Sequence, residues 1–313
     1  NIYKIKAGHS AIYMNGKMTI KRWWNTLENL QKVPTKYEEQ VEMLRDIFED
    51  SCRIRMRSDV PIGTALSGGV DSSAIVGFMK HIQNQSQEEF NGQWRSAFVA
   101  SLPDTAIDET HYAKLAAEYV DLDINKVIIN PDITPEKLLE YMYLCENPYI
   151  SSPIPYMQTY RSVADKGIKV TLDGHGADEL FGGYPFDIVY AVSKEAPDNE
   201  IKEIYEIYLN MMGELSNKIT MDDFKNMLHS KTGSSKYDIK DSLNNKLYYE
   251  THEEVLPTLL RLYDHFGMSN GVEIRMPFMD YRVVTFAFSV PWNSKLRDGY
   301  GKKIVRDMAA PYM

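Results

Sequence analysis

Hydrophobic positions change period several times along the chain, and each change predicts an element. Residues 1–24 alternate apolar and polar around Met14-Asn15-Gly16-Lys17, where Asn-Gly between two such runs predicts a β-hairpin. The polar residues 25–35 predict a linker. Val41, Leu44, Ile47 and Phe48 then recur at helical spacing, so a helix is expected from 37 to about 53. Residues 60–66 form a short, mostly apolar run expected to be a strand, and 74–79 are apolar too continuously for a surface helix. After an exposed loop expected at 83–93, strands are expected at 96–102, 126–129 and 168–172. Asp108-Glu109-Thr110 opens a helix with Tyr112, Leu115, Ala116, Tyr119 and Val120 marking one face. Thr134-Pro135 supplies the cap and first-turn proline of another.

Strands alternating with helices imply an α/β fold, a parallel sheet covered on both faces, and right-handed crossovers make it doubly wound. Flanking helices, a helical C-terminal part and the small N-terminal β-hairpin complete the expected architecture. At 313 residues the chain can bury a large core, as one domain or two. A formal charge of −9 argues against a broad nucleic-acid surface. No apolar stretch is long enough to span a bilayer, and the N-terminus lacks signal-peptide anatomy. Cys52 and Cys145 lie far apart without metal spacing, so a reducing, cytoplasmic setting is the default. The chain begins at Asn1 and reads as a fragment or processed piece.

The chemistry centres on Leu66-Ser67-Gly68-Gly69-Val70-Asp71-Ser72-Ser73, between the strand at 60–66 and the buried helix. Gly68 and Gly69 let an anion approach backbone N–H groups. The helix that follows points its unpaired N–H groups and positive dipole end at the same anion. Ser67, Ser72 and Ser73 add hydroxyl donors. Asp71 would repel phosphates unless a cation lay between, and Mg2+ resolves that conflict. There is neither a Walker lysine nor a Gly-x-Gly-x-x-Gly fingerprint. The run instead resembles the pyrophosphate loop, Ser-Gly-Gly-x-Asp-Ser, of enzymes that cleave ATP to AMP and pyrophosphate. Arg53, Arg55 and Arg57, just upstream, could face phosphate or end a solvated helix.

A second cluster follows the strand at 168–172: Asp173-Gly174-His175-Gly176-Ala177-Asp178-Glu179-Leu180-Phe181-Gly182-Gly183-Tyr184. Ligands of open α/β sheets collect at carboxyl strand ends, and both clusters occupy such ends. Gly174 allows close approach, Asp178 offers a second Mg2+ ligand, and Asp173 or Glu179 a polar brace. Together with Asp108-Glu109, Leu256-Pro257-Thr258-Leu259-Leu260-Arg261, Glu273-Ile274-Arg275-Met276-Pro277-Phe278-Met279-Asp280 and Lys295-Leu296-Arg297, these motifs occur in the order seen in glutamine-hydrolysing asparagine synthetases. The resemblance covers essentially the whole chain as the synthetase half of that family, and is least specific over 186–249, which looks helical and polar.

The resemblance implies that ATP adenylates a carboxylate, with aspartate the leading acceptor, and that ammonia displaces AMP to leave an amide. Leu66, Ser67, Gly68, Gly69, Asp71, Ser72, Ser73 and Gly174 would hold ATP and its pyrophosphate. Asp71 and Asp178 would hold Mg2+, and Lys302 would stabilise the adenylation or amide-forming transition state. Residues 1–35 would end a glutamine-hydrolysing unit and connect it to a synthetase domain at 36–313. That domain would have an α/β core at 58–184 and a helical remainder at 185–313. The family's glutaminase uses an N-terminal cysteine that neither Cys52 nor Cys145 can supply, so ammonia would come from a preceding domain, a partner subunit or solution. A homodimer stays open.

Two departures from the family put aspartate in question. His175 stands where the family commonly has glutamate. It could take a proton from the attacking amine with a near-neutral pKa, or reshape the acceptor pocket. His265 and Gly267 replace arginine and serine. Rival expectations are the same adenylation on a sugar acid, a peptide or a β-amino acid in ring closure, and a nucleotide-binding scaffold without catalysis.

Overall fold

The computed structural model describes residues 3–85, 94–146, 153–213, 219–229, 237, 239 and 241–313. Its centre is a parallel sheet ordered β5-β4-β3-β6-β7, formed by β3 (Ile62–Ala65), β4 (Trp94–Ser101), β5 (Asp123–Ile128), β6 (Val170–Leu172) and β7 (Glu273–Arg275). The chain runs outward from β3 to β5, then returns to place β6 against the other side of β3. The strand order therefore reverses between β3 and β6, the switch point at which a doubly wound sheet opens a crevice.

Alternation along β4 divides the core. Ala97 and Val99 join one buried cluster and Phe98 the other, as a two-residue period requires. One face is covered by α1 (Tyr37–Arg55), α2 (Val70–Gln85) and α3 (Thr110–Tyr119). The helix α4 (Pro135–Leu144), capped by the Thr134 hydroxyl, packs with α5 (Ile154–Asp165) toward the opposite face. Short helices α6 (Ala177–Phe181) and α7 (Pro185–Ile188) lead into α8 (Asp198–Met212), α9 (Met221–Met227), α10 (Ser242–His252) and α11 (Val255–Met268), and α11 returns to β7. Finally α12 (Tyr281–Ser289), α13 (Trp292–Lys295) and α14 (Lys303–Ala309) close the chain, with α14 against α1 and α2. The doubly wound α/β expectation and the helical C-terminal part are both observed.

At the N-terminus, β1 (His9–Met14) and β2 (Lys17–Arg22) pair antiparallel about Asn15-Gly16, as expected. The linker expectation for 25–35 is corrected. Thr26–Asn29 is a 3-10 helix, Thr26 is buried and bonded to His252, and Gln31 Nε2 donates to Arg282 O and Thr285 Oγ1. Thr26 and Gln31 fasten the segment to α10 and α12, while Glu28, Asn29, Lys32 and Thr35 face water. The face assigned to α3 is also corrected. Ala113, Ala117 and Val120 are buried, whereas Tyr112, Leu115 and Tyr119 are exposed. Small residues permit a close approach to α2, and the larger apolar ones are left outside.

The loop expectation at 83–93 starts late, because α2 extends to Gln85; 86–93 lie outside the described residues. Strand β7 was not anticipated, being three residues long with Glu273 and Arg275 flanking Ile274. Two of the upstream arginines, Arg53 and Arg55, are tied into the fold, and Arg57 is exposed. Arg55 Nη1 donates to Asp280 Oδ2 at 3.0 Å, and Arg53 Nη2 to Glu49 and Gln85. The described residues of 186–249 are mostly in helices, but Ile201, Ile204, Ile207 and Tyr208 of α8 are buried in the larger core. No helix among the described residues is long and apolar enough to cross a membrane.

Candidate active site

The β3–α2 loop is held by its own residues. Ser67 Oγ accepts from Gly69 N at 3.2 Å and pairs with Ser72 Oγ at 3.1 Å; Leu66 N donates to Phe98 O. Gly68 has φ +83°, where an L side chain is strained, and a Cβ would lie 2.3 Å from Ala113 N. Only glycine lets the loop turn while touching the backbone that opens α3.

The β6 loop is docked against this one. Thr64 Oγ1 donates to Leu172 O at 2.6 Å. Asp173, 1% exposed, accepts from Ala65 N at 2.8 Å, Tyr160 Oη at 2.7 Å and Thr171 Oγ1 at 3.1 Å. Burial pushes its carboxyl up to about 6 against the pull of those donors. Asp173 is therefore the brace between the two strand ends. Gly174 lies against the start of α2, where a Cβ would meet Asp71 and Ser72 N at 3.0 Å.

Lys302 joins the two loops to the C-terminal helices. Its Nζ donates to Asp71 Oδ2 at 2.6 Å and to Asp178 Oδ1 at 2.7 Å, and its side chain is only 13% exposed. A solvated helix lysine is thereby excluded. Lys302 sits at the N-cap of α14 with φ +51°, a sparsely populated conformation for a non-glycine residue and one that recurs at functional sites. Burial raises the Asp71 carboxyl to about 6, opposed by Lys302 and reinforced by Asp178. Lys302 itself is raised, its two carboxylates outweighing burial.

Asp71 Oδ1 is buried with no hydrogen-bond partner. An orphaned carboxylate oxygen beside a second carboxylate is a hard-oxygen donor set suited to Mg2+, which takes one or two carboxylates and completes its shell with phosphate oxygens and water. The residues present thus fit that ion. No group of three or more His, Cys, Asp or Glu side chains arranged for a metal occurs among the described residues.

These elements surround a cavity of about 400 Å³ at the β3/β6 switch point. Leu66, Ser67, Asp71, Ser72, Gly174, His175 and Asp178 line it. Gly68, Gly69 and Ser73 shape the loop and first helical turn but are not in the wall, and Lys302 reaches it through Asp71 and Asp178.

His175 is corrected in one respect. Its ring stacks on Tyr263 at 3.5 Å, its Nε2 has no hydrogen-bond partner, and burial lowers its pKa to about 3. That low basicity disfavours the first of its two expected roles, taking a proton from the amine, and is compatible with the second, shaping the acceptor pocket. The second departure is explained by packing: a Cβ on Gly267 would lie 2.5 Å from Val272 O, so glycine is what lets α11 approach β7. His265 is not in the cavity wall.

Sequence reading missed Tyr156, Tyr160 and Tyr263, which line the cavity together with Tyr184 of the second cluster. Their signal was helical spacing: Tyr156, Thr159 and Tyr160 share one face of α5, and Leu256, Leu259 and Tyr263 one face of α11.

A doubly wound sheet with a Ser-Gly-Gly-x-Asp-Ser loop and a second acidic loop across its switch point defines a nucleotide-binding α/β domain. The asparagine synthase family matches residues 43–313, and the chain belongs to that family. It is 24% identical over 320 residues to "Asparagine synthetase [glutamine-hydrolyzing] 3" of Bacillus subtilis (strain 168), covering 97% of this chain and 51% of that protein. "Asparagine synthetase [glutamine-hydrolyzing] 1" of the same organism is 25% identical, with 99% and 53% covered. "Amidase chry2" of Gibberella zeae is 22% identical, with 100% and 56% covered. The chain spans about half the length of these relatives.

Proposed function

We propose that the chain is the synthetase part of an ATP-dependent ligase that forms an amide from a carboxylate and ammonia, releasing AMP and pyrophosphate. The observation that carries this reading is Lys302 bridging Asp71 and Asp178 beside the serine-lined loop, at the edge of the cavity at the switch point.

In the first step a carboxylate oxygen attacks the α-phosphorus of ATP and the bond to the β-phosphate bridging oxygen breaks. Ser67 and Ser72, with the N–H groups at the start of α2, hold the departing pyrophosphate. Lys302 supplies fixed positive charge where negative charge develops. Mg2+ bound by Asp71 and Asp178 would add Lewis-acid neutralisation of the same phosphates. In the second step ammonia attacks the acyl carbon, AMP leaves, and the nitrogen releases its surplus proton to solvent. Asp173 keeps both loops in register through each step.

Residues 36–313 form the synthetase domain in this reading, and 1–35 lead into it from a glutamine-hydrolysing domain or subunit that supplies ammonia. The relatives named for glutamine hydrolysis support that partner. The test is AMP and pyrophosphate release from ATP, Mg2+ and ammonium with aspartate and with a panel of other carboxylates. Release that depends on a carboxylate and is lost in Asp71→Ala supports the reading. ATP binding without turnover on every acceptor would leave a scaffold.

A further inference from the structure

Beyond the nucleotide loop, the cavity wall comes from β4 and the segment after it, α5, the 173–184 loop and α11, and its chemistry is one-sided. Tyr156, Tyr263, Leu256 and Leu259 give it aromatic and aliphatic faces, with Tyr156 edge-on to Tyr263 at 5.3 Å and His175 stacked on Tyr263. Every charged side chain in the wall is an acid: Asp71, Glu109, Asp173, Asp178 and Glu179. No lysine or arginine lines it among the described residues. Of the segments outside the described residues, 86–93 and 147–152 contain neither, and Lys218, Lys231, Lys236 and Lys240 are each remote in sequence from every lining residue. Lys302 is committed to Asp71 and Asp178.

Glu179 is 1% exposed and held by the Tyr184 hydroxyl at 2.6 Å, so it cannot turn out to water when an anion enters. Asp173 is equally fixed between β3 and β6. The His175 ring is stacked on Tyr263 with Nε2 3.9 Å from Asp173 Oδ2, so it faces that fixed acid.

We propose that this cavity accepts substrates with a single carboxylate, the one to be activated, on an aromatic, aliphatic or cationic body, and excludes a second carboxylate such as the α-carboxylate of free aspartate. The proposal rests on the adenylation reading above. It follows from what each part of an acceptor would meet. The reacting carboxylate is drawn to the α-phosphorus and its surrounding cations. A second one would be left against fixed acids and tyrosine rings with no cation among the described residues to receive it. A like charge at about 5 Å with an effective dielectric near 20 corresponds to roughly a hundredfold in binding, and screening leaves at least about tenfold.

The experiment measures AMP release by the full chain with ATP, Mg2+ and ammonium on matched acceptors that differ by one carboxylate. The pairs are aspartate and its α-amide, glutamate and its α-amide, and phenylsuccinate and 3-phenylpropionate. In each pair that turns over, kcat/KM is expected to be at least about tenfold higher for the monocarboxylate. Leu259→Arg, which places a guanidinium in the wall, should narrow that ratio by about tenfold, because a buried carboxylate then finds a charged donor. Aspartate used as well as its α-amide would overturn the inference and leave adenylation standing. AMP release from no carboxylate, in either protein, would reject the adenylation reading and this inference with it.

Discussion

Gly68→Ala isolates the contact on which the nucleotide loop's shape depends. Two costs add in this variant. An alanine at φ +83° pays the left-handed penalty of about 1–2 kcal/mol. Its Cβ would also sit 2.3 Å from Ala113 N and 2.5 Å from Tyr112 C, backbone atoms that move only if α3 moves. Overpacking of that kind costs about 1–3 kcal/mol. Reduced freedom of the unfolded chain returns about 0.4–1 kcal/mol. The expected loss is about 3 kcal/mol. Gly167→Ala is the control, since Gly167 has φ +75° with nothing within 4 Å of its Cβ position; it should lose only about 1 kcal/mol. Urea unfolding with matched slopes measures both losses. The displaced α3 should weaken Mg2+·ATP binding in Gly68→Ala and leave it unchanged in Gly167→Ala. Equal losses within about 0.5 kcal/mol would refute the close packing of loop on α3.

Two further expectations come from the buried charges. In Lys302→Met the Asp71 and Asp178 carboxylates face each other without their shared cation. Thermal stability should fall and, unlike that of the parent protein, rise steeply with added Mg2+; no such Mg2+ dependence would contradict the assignment of those two ligands. Asp187 is fully buried, and burial together with Glu250 pushes its carboxyl up to about 8. From about pH 4 to 8 the folded chain holds a proton that the unfolded chain has released, so this group makes stability fall as pH rises through that window. Asp187→Asn should remove that slope and gain roughly 3–4 kcal/mol more, relative to the parent, at pH 8 than at pH 5. An unchanged pH profile would show that Asp187 is charged in the fold.

What the sequence made legible was local. Ser67 to Ser73 could be placed because a strand, a glycine pair and a buried helix follow one another directly, and Gly174 to Asp178 because a second strand ends there. The α3 face was misread because periodicity marks apolar residues, and here the tyrosines lie outside while Ala113 and Ala117 make the contact. Residues 25–35 read as a linker because polarity does not distinguish hydration from the bonds Gln31 makes to α12. The stack of His175 on Tyr263 and the bond from Lys302 to Asp71 join residues far apart in sequence. Only the folded sheet brings them together, and with them the basicity of His175 and the acidic wall of the cavity.

The central claim is that a carboxylate oxygen attacks the α-phosphorus of ATP. The most direct measurement supplies an accepted carboxylate labelled with 18O in both oxygens, with ATP, Mg2+ and ammonium, and reads the products by mass spectrometry. The account predicts one 18O in AMP and one in the amide, with unlabelled pyrophosphate. Label in inorganic phosphate with ADP formed, or AMP without label, would contradict it.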